Sequence, residues 1–416
     1  YNSDYSAESY WGYPNRCNGI VLSYDTVWNP ITGMSNYQGK FGTCDGPSNW
    51  WSWSTLRAQA ELLGKLKNAQ NPGLNQDPKT NRALTALSSG WWNNNDTDQV
   101  GDGYISTPGK GNPADGTGEK DPNFKGLTQF QNKATEISLD DSQQPYRYLA
   151  ARLNVATTAC PTDGANYVSP KLGIQLFDQN NKYFDLFEGE EYIDTCNHPG
   201  LKQKDITRPG VDGQEAKDLK ATYGRVNTDH AVPWYGPDPG LPNVGMKITN
   251  HEQFTGGNDS SVDALGITDV TPRLFKSFGA DRVEYGKTTT LTFKVESRSD
   301  LSYKGGNTQT DATGWEFTDA LPKVDGVQLT AQGTPTITAY DVDGKQLDDG
   351  GCSATVTTGE SVSLTNGVME AGVAWCEITI DVTAEDTTPC PGDRTFVNEA
   401  DQFKKSDGSW NMKYVD

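Results

Sequence analysis

The feature that most constrains the fold is a series of short segments after residue 271 in which apolar and polar residues alternate. They recur about every 8–12 residues, which is the spacing of strands joined by tight turns. A period of two places the apolar side chains on one face of each strand. The pattern therefore predicts an antiparallel two-sheet sandwich. The predicted strands are Thr288–Glu296, Gly314–Asp319, Val327–Thr330, Thr336–Asp341, Ser361–Thr365 and Cys376–Val382.

The part of the chain before residue 270 also alternates, but it is less regular. Strands are predicted at Tyr146–Val155, Lys171–Phe177 and Val244–Thr249, which favours a jelly roll or sandwich over an α/β sheet. One helix is predicted from Ser54 to Asn68, and a weaker one from Arg82 to Leu87.

These patterns predict a mainly β chain with two parts and a tail. Residues 1–268 form a β-sandwich head with a few helices and long loops, such as the segment Trp91–Lys125. Residues 272–403 form the second sandwich, and residues 404–416 form a linker.

The net charge limits the classes of partner. The chain has 416 residues, with 35 Lys and Arg against 55 Asp and Glu, so its formal charge is −20. Such a surface opposes binding to nucleic acid and to anionic membranes. No apolar run approaches the roughly 20 residues that span a bilayer, so direct membrane insertion is not expected. The sequence does not begin at Tyr1 with a charged and then apolar signal segment. We therefore expect it to be the mature or trimmed form of a secreted chain.

Seven cysteines suggest an oxidising compartment. Their spacing favours three local disulfides, and it leaves one cysteine over that could displace any of these pairs. The predicted pairs are Cys17–Cys44, Cys160–Cys196 and Cys352–Cys376, with Cys390 as the remaining residue.

The second sandwich resembles the immunoglobulin-like surface repeats of Gram-positive, actinobacterial-type adhesins and pilins. The resemblance covers about 130 residues, and its motifs occur in the expected order. The motifs are Pro272-Arg-Leu-Phe-Lys276, Gly286-Lys-Thr-Thr-Thr-Leu-Thr-Phe293, Trp315-Glu-Phe-Thr-Asp319-Ala-Leu-Pro322, the Cys352/Cys376 pair, and Phe396-Val-Asn398-Glu-Ala400.

A shorter resemblance precedes it. Ile248-Thr-Asn250 and Gly257–Ile267 are similar to the closing strand of the lectin-like jelly rolls that precede such repeats in surface adhesins. Where that family has a second acidic residue after Asp263, this chain has Ala264.

The family resemblance implies an intramolecular isopeptide bond between Lys276 and Asn398, with Asp319 as the catalytic acid. Burial makes a lysine amine nucleophilic by lowering its pKa, and it keeps a carboxyl group protonated. Glu316 is a rival acid, but it lies three residues from Asp319 and therefore on the opposite face of a strand. The alternative is that Lys276 is exposed and that the other two side chains only stabilise turns.

Two clusters of oxygen-bearing residues could hold calcium, because calcium prefers oxygen ligands. The first cluster lacks the spacing of an EF-hand, and for each cluster the residue types favour a solvated turn over a calcium site. The candidate ligands are Asp96, Asp98 and Asp102 in one cluster, and Asn258, Asp259 and Asp263 in the other.

Several aromatic residues lie beside loops and could bind a sugar or a protein. The alternative is a small irregular core around the helix. The candidates are Trp50, Trp51, Trp53, Trp91, Trp92, Trp234 and Tyr235.

Catalysis on an external substrate has little support in the sequence. Glu188, Glu190, Glu191 and Asp194 cluster as carboxylates of a glycosidase could, but nothing sets their pKa values apart. The expected function is that of a secreted, cell-wall-anchored or pilus-associated adhesin. Its head would bind a glycan or protein on a host or bacterial cell, and further repeats or pilus subunits would follow the chain. The alternatives are a structural shaft subunit and a secreted carbohydrate-active enzyme.

Overall fold

A computed structural model shows a mainly β protein built from antiparallel sheets. The predicted fold class is therefore confirmed. The structure describes residues 5–6, 17–24, 27–29, 33–35, 39–40, 50–87, 127–134, 137–138, 146–158, 160, 169–187, 192–208, 217–228, 231–235, 243–251, 260–297, 312–348, 350–370, 372–386 and 392–415.

Contacts between residues divide the chain into two compact units. The first unit consists of Tyr1–Leu139, Ala151–Thr228 and Asn243–Ile267. The second unit consists of Asp140–Ala150, Asp229–Pro242 and Thr268–Asp416.

The strands before residue 270 form two large sheets and one hairpin. Their bounds are β1 (Tyr5–Ser6), β2 (Cys17–Leu22), β3 (Val27–Asn29), β4 (Gly33–Ser35), β5 (Gly39–Lys40), β6 (Ala83–Leu87), β7 (Leu127–Asn132), β8 (Ile137–Ser138), β9 (Tyr146–Thr157), β10 (Lys171–Phe177), β11 (Tyr183–Asp185), β12 (Ile193–Asp194), β13 (Lys202–Arg208), β14 (Lys217–Asn227), β15 (Val232–Tyr235), β16 (Asn243–Asn250) and β17 (Ser260–Asp269).

Both sheets are antiparallel in every pairing that has a defined register. One has the order β1-β7-β16-β10-β11, with β12 beside β10 and β8 beside β16. The other has the order β13-β14-β9-β17-β6-β2-β5, and β15 also pairs with β9. The predicted strands at 146–155, 171–177 and 244–249 correspond to β9, β10 and β16.

The helix α1 spans Trp50–Gln70 and contains the helix predicted for residues 54–68. Leu56, Ala60 and Leu63 are buried because their spacing puts them on one side of the helix. Gly64 lets the helix approach the 3-10 turn Pro78–Thr80, since a Cβ at this glycine would lie 2.4 Å from the Pro78 carbonyl oxygen.

The prediction of a second short helix at residues 82–87 is wrong. Ala83–Leu87 is strand β6, which pairs with both β2 and β17. A segment of five residues does not distinguish a helix from a strand by periodicity, so pairing with two neighbouring strands decides its structure.

The second unit contains a sandwich of two antiparallel sheets. Their orders are β18-β19-β25-β22-β21 and β23-β24-β20-β26. The bounds are β18 (Arg273–Phe278), β19 (Thr288–Glu296), β20 (Ala312–Ala320), β21 (Lys323–Val324), β22 (Val327–Tyr340), β23 (Cys352–Thr357), β24 (Ser361–Met369), β25 (Trp375–Ala384) and β26 (Met412–Lys413).

Aromatic side chains fill the core of this sandwich. Trp315, Phe317 and Phe293 are at most 1% exposed, and Phe293 lies 5.0 Å from Phe317 between ring centroids. The two strands predicted at 327–330 and 336–341 are one strand, β22, with an irregularity between Gln332 and Thr336. A bulge of this kind interrupts the alternation without ending the strand, which explains the wrong prediction.

Candidate functional site

The candidate site begins with Lys276, which β18 directs into the second unit. Exposure alternates along β18, so Lys276 shares the inner face with Leu274 and Phe278, whereas Phe275 is 48% exposed on the outer face. The lysine side chain is only 11% exposed.

Asp319 approaches the same point from the other sheet. It lies on β20 two residues after the core residue Phe317, and its side chain is fully buried. The rival acid Glu316 points to the other face of β20, where it forms an ion pair with Lys413 at 2.9 Å. The carboxyl group that lies beside Lys276 is therefore that of Asp319 and not that of Glu316.

Asn398 completes the cluster from a segment outside the sheets, near the end of the chain. Lys276 Nζ donates a hydrogen bond to Asn398 Oδ1 at 2.7 Å and to Asp319 Oδ1 at 3.0 Å. Asn398 Nδ2 donates to Asp319 Oδ2 at 2.7 Å. The structure thus brings together all three residues that the sequence singled out for an isopeptide bond.

The surroundings of the Lys276 amine exclude most water. The amine lies 4.3 Å from the centroid of the Phe403 ring, and it also donates to the Glu399 carbonyl oxygen at 2.6 Å. Phe403 itself is 5% exposed and packs against Phe317 and Phe293. The amine therefore lies among two carbonyl oxygens, a carboxyl group and an aromatic face.

Burial shifts the pKa values of the two ionisable groups in opposite directions. Desolvation lowers the pKa of Lys276, although the nearby Asp319 opposes this shift. Desolvation also raises the pKa of Asp319, against hydrogen bonds from Asn398 and the charge of Lys276. Both shifts favour a neutral amine beside a protonated acid.

Two of the three predicted disulfides lie among the described residues, and both are confirmed. Cys352–Cys376 joins β23 to β25 and therefore connects the two sheets of the second unit. Cys160–Cys196 lies in the first unit. Cys44 and Cys390 lie outside the described residues, so the pairing of Cys17 stays a prediction.

The calcium candidates are mostly outside the described residues, as Asp96, Asp98, Asp102, Asn258 and Asp259 all are. Asp263 lies in β17, where its carboxylate accepts a hydrogen bond from the Ala264 N–H at 2.7 Å and lies 3.9 Å from Lys67 Nζ. Across the ranges given above, no three His, Cys, Asp or Glu side chains are grouped as metal ligands.

Some of the aromatic candidates lie among the described residues and others do not. Trp91 and Trp92 lie outside the described residues. Trp234 is in β15 and is 3% exposed, and Tyr235 ends that strand. The other three, Trp50, Trp51 and Trp53, lie in the first turn of α1.

Of the carboxylates considered for glycoside hydrolysis, Asp194 is the one in the described residues. It accepts hydrogen bonds from the backbone N–H groups of Cys196 and Asn197 and from Ser169 Oγ. These bonds lower the pKa of Asp194 even though burial opposes them. They stabilise the turn that carries Cys196.

Sequence reasoning missed a row of polar side chains on one face of the first unit's β1-β7-β16-β10-β11 sheet. Gln131, Lys247, Gln175 and Asp185 occupy directly paired positions on four neighbouring strands. Tyr183 lies beside them, 39% exposed and 5.2 Å from Lys247 Nζ between amine and ring centroid. Only strand register brings these side chains together, and the sequence pattern does not predict register between distant strands.

Comparisons with known proteins give no relative for this chain, because no family model, curated protein or solved structure matches it. Within the described ranges, no helix has both the length and the apolar character needed to cross a membrane.

Proposed function

We propose that this protein is an extracellular adhesin whose second unit is a load-bearing stalk closed by an isopeptide bond between Lys276 and Asn398. One observation carries the proposal. The two oxygens of Asp319 contact the two nitrogens that the reaction exchanges, Lys276 Nζ at 3.0 Å and Asn398 Nδ2 at 2.7 Å.

The reaction needs no external substrate or oxidant. The neutral Lys276 amine attacks the side-chain carbonyl carbon of Asn398 while the protonated Asp319 faces the leaving nitrogen, Nδ2, as a general acid. A new carbon–nitrogen bond forms to Nζ, and the bond to Nδ2 breaks. The amine proton is passed through Asp319 to the leaving nitrogen, which departs as ammonia. An amine and a carboxamide thus give a secondary amide and ammonia.

The position of the bond supports a mechanical role. Lys276 and Asn398 are 122 residues apart and lie near the two ends of the sandwich sequence. A pull applied on either side of these two residues would pass through the bond, because the bond connects β18 to the segment that precedes β26. The disulfides agree with an extracellular location, and anchoring to a cell wall or pilus forms part of the proposal.

Single-molecule stretching of the full chain tests the stalk. We expect the wild-type protein to keep residues 277–397 folded or looped at any force that spares covalent bonds. Under reducing conditions, Asn398→Ala should allow these residues to unfold and extend. The contour length should then increase by roughly 400 Å, because Lys276 and Asn398 are 122 residues apart. Equal extension of the two proteins would contradict the proposal.

The head is proposed to bind a glycan or a protein on a host or bacterial cell, with calcium as a candidate cofactor. The polar row beside Tyr183 is the described surface to test first, because aromatic faces and planar amides suit such ligands. Binding to an array of glycans and matrix proteins should be measured with and without a calcium chelator.

Saturable binding without turnover would support the adhesin, and Tyr183→Ala should weaken that binding. Lys204→Ala, an exposed change on the other sheet, is the matched control. Product formation would instead favour a carbohydrate-active enzyme, and no binding would favour a shaft subunit.

A further inference from the structure

The segment that carries Asn398 is held differently from the strands around it. Within the described residues, 392–398 belong to no helix and no sheet. Inner and outer positions alternate along the segment, with Arg394, Phe396 and Asn398 partly buried and the residues between them exposed. The strands of the sandwich are held in place by backbone hydrogen bonds to their neighbours. This segment pairs with none of the described strands, so its position depends on its side-chain contacts.

Arg394 makes the most extensive of these contacts. Its Nη1 donates to the Tyr285 hydroxyl at 2.9 Å and to Asp386 Oδ2. The Tyr285 hydroxyl in turn donates to the Gly392 carbonyl oxygen at 2.9 Å. The Arg394 and Asp386 side chains are 14% and 2% exposed, so the ion pair is largely removed from water.

This arrangement, which we call the Arg394 clasp, distinguishes one register of the segment from its neighbours. A slip by one residue would turn Asp393 inward, toward the carboxylate of Asp386. The same slip would turn Asn398 outward and bring in Val397, which is now 52% exposed. In the observed register, Arg394 pairs with the buried carboxylate of Asp386 and Asn398 reaches Lys276 at the same time.

We propose that Arg394, held by Tyr285 and Asp386, is a positioning residue that delivers Asn398 to Lys276. The proposal rests on the isopeptide bond proposed above. Arg394 does not touch the reacting atoms. Arg394 acts through the short segment that connects it to Asn398. Inward-facing positions repeat every two residues there, so holding Arg394 inward also holds Asn398 inward.

The test follows the loss of ammonia during cell-free synthesis of the full chain under conditions that allow disulfides to form. Each sample is reduced before its intact mass is measured. We expect Arg394→Gln to slow the reaction by about tenfold to a hundredfold, because small displacements of reacting groups cost that much. Arg282→Gln is the control, since Arg282 pairs with Asp393 on the exposed face and is 85% exposed. It should react at the wild-type rate.

Two further variants separate positioning from general loss of stability. Arg394→Lys keeps the charge but not the planar fork, and should restore part of the rate. Cys352→Ser with Cys376→Ser removes the connection between the sheets, yet it should react at the wild-type rate once folded.

The outcomes are distinct. A wild-type chain that never loses ammonia would overturn the isopeptide bond itself. A wild-type chain that reacts, together with an Arg394→Gln chain that reacts equally fast, would overturn the positioning role alone. A disulfide variant slowed as much as Arg394→Gln would show a general stability effect and would also overturn it.

Discussion

Each unit of the protein contains a buried cluster of polar side chains that joins distant parts of its sequence, and the two clusters differ in chemistry. In the first unit, Gln59 donates to Thr158 Oγ1 at 3.0 Å and accepts from Ser261 Oγ at 2.6 Å. In the second unit, a lysine and an aspartate share an asparagine amide. Both clusters contain a carboxamide, which is fully buried in Gln59 and partly buried in Asn398.

The difference lies in the groups that face the amide. Hydroxyl groups have pKa values far above neutral, so Thr158 and Ser261 satisfy the Gln59 amide without attacking it. Lys276 is instead an amine whose pKa burial lowers, and Asp319 is an acid whose pKa burial raises. On the proposed mechanism, burial alone does not make a carboxamide reactive, because a nucleophile and an acid must also face it.

The largest expected effect comes from Asn398→Ala, which removes the bond and opens a loop of 122 residues. Loop entropy predicts a loss of about 5 kcal/mol in the free energy of unfolding of the second unit. Urea unfolding followed by the fluorescence of the full chain measures it.

Thr395→Ala, an exposed change on the same segment, is the matched control and should stay within about 0.5 kcal/mol. Equal stability of Asn398→Ala and the wild type would mean that no covalent bond closes the loop.

A smaller effect is expected for Gln59→Leu in the first unit. This change leaves two buried hydroxyl groups without the amide, which should cost about 3 kcal/mol of stability. The mass deficit from the second unit should be unchanged. Lys65→Ala, on the exposed side of α1, is the control and should have little effect. If Gln59→Leu altered the mass deficit, the distinction between the clusters would be wrong.

The smallest expected effect is the pH dependence of stability that Asp319 causes. It is measured in Lys276→Met, which cannot form the bond. Because burial raises the pKa of Asp319, the folded state holds its proton more tightly than the unfolded chain does. Stability should therefore fall as the pH rises from about 4 through the folded-state pKa, by about 1.4 kcal/mol for each unit of difference.

Urea unfolding at several pH values measures this slope, with Lys276→Met/Asp319→Asn as the control that lacks the carboxyl group. Identical slopes in the two variants would show that Asp319 does not have a raised pKa.

The resemblance to surface repeats singled out Lys276, Asp319 and Asn398 in the sequence, and strand alternation supports the choice of Asp319 as the acid. Burial alternates along β18 and from Trp315 to Asp319 in β20, so the period of two predicts which way each side chain points and separates Asp319 from Glu316. The helix α1 was predicted for a similar reason, since its apolar residues repeat over several turns.

The remaining features depend on contacts between distant positions. Gln59 is 99 residues from Thr158 and 202 from Ser261, and no local pattern connects them. The Arg394 clasp and the polar row beside Tyr183 likewise depend on register and on tertiary packing. Strand β6 was misassigned because its structure is decided by its two neighbours.

The most direct test of the central claim is the intact mass of the purified chain after full reduction of its disulfides. The account predicts a mass lower than that of the sequence by one ammonia, and Lys276→Ala should abolish this deficit. A deficit of two ammonias would point to a second reactive amide, with Gln59 as the first candidate. A reduced mass equal to that of the sequence would contradict the isopeptide bond and with it the proposed stalk.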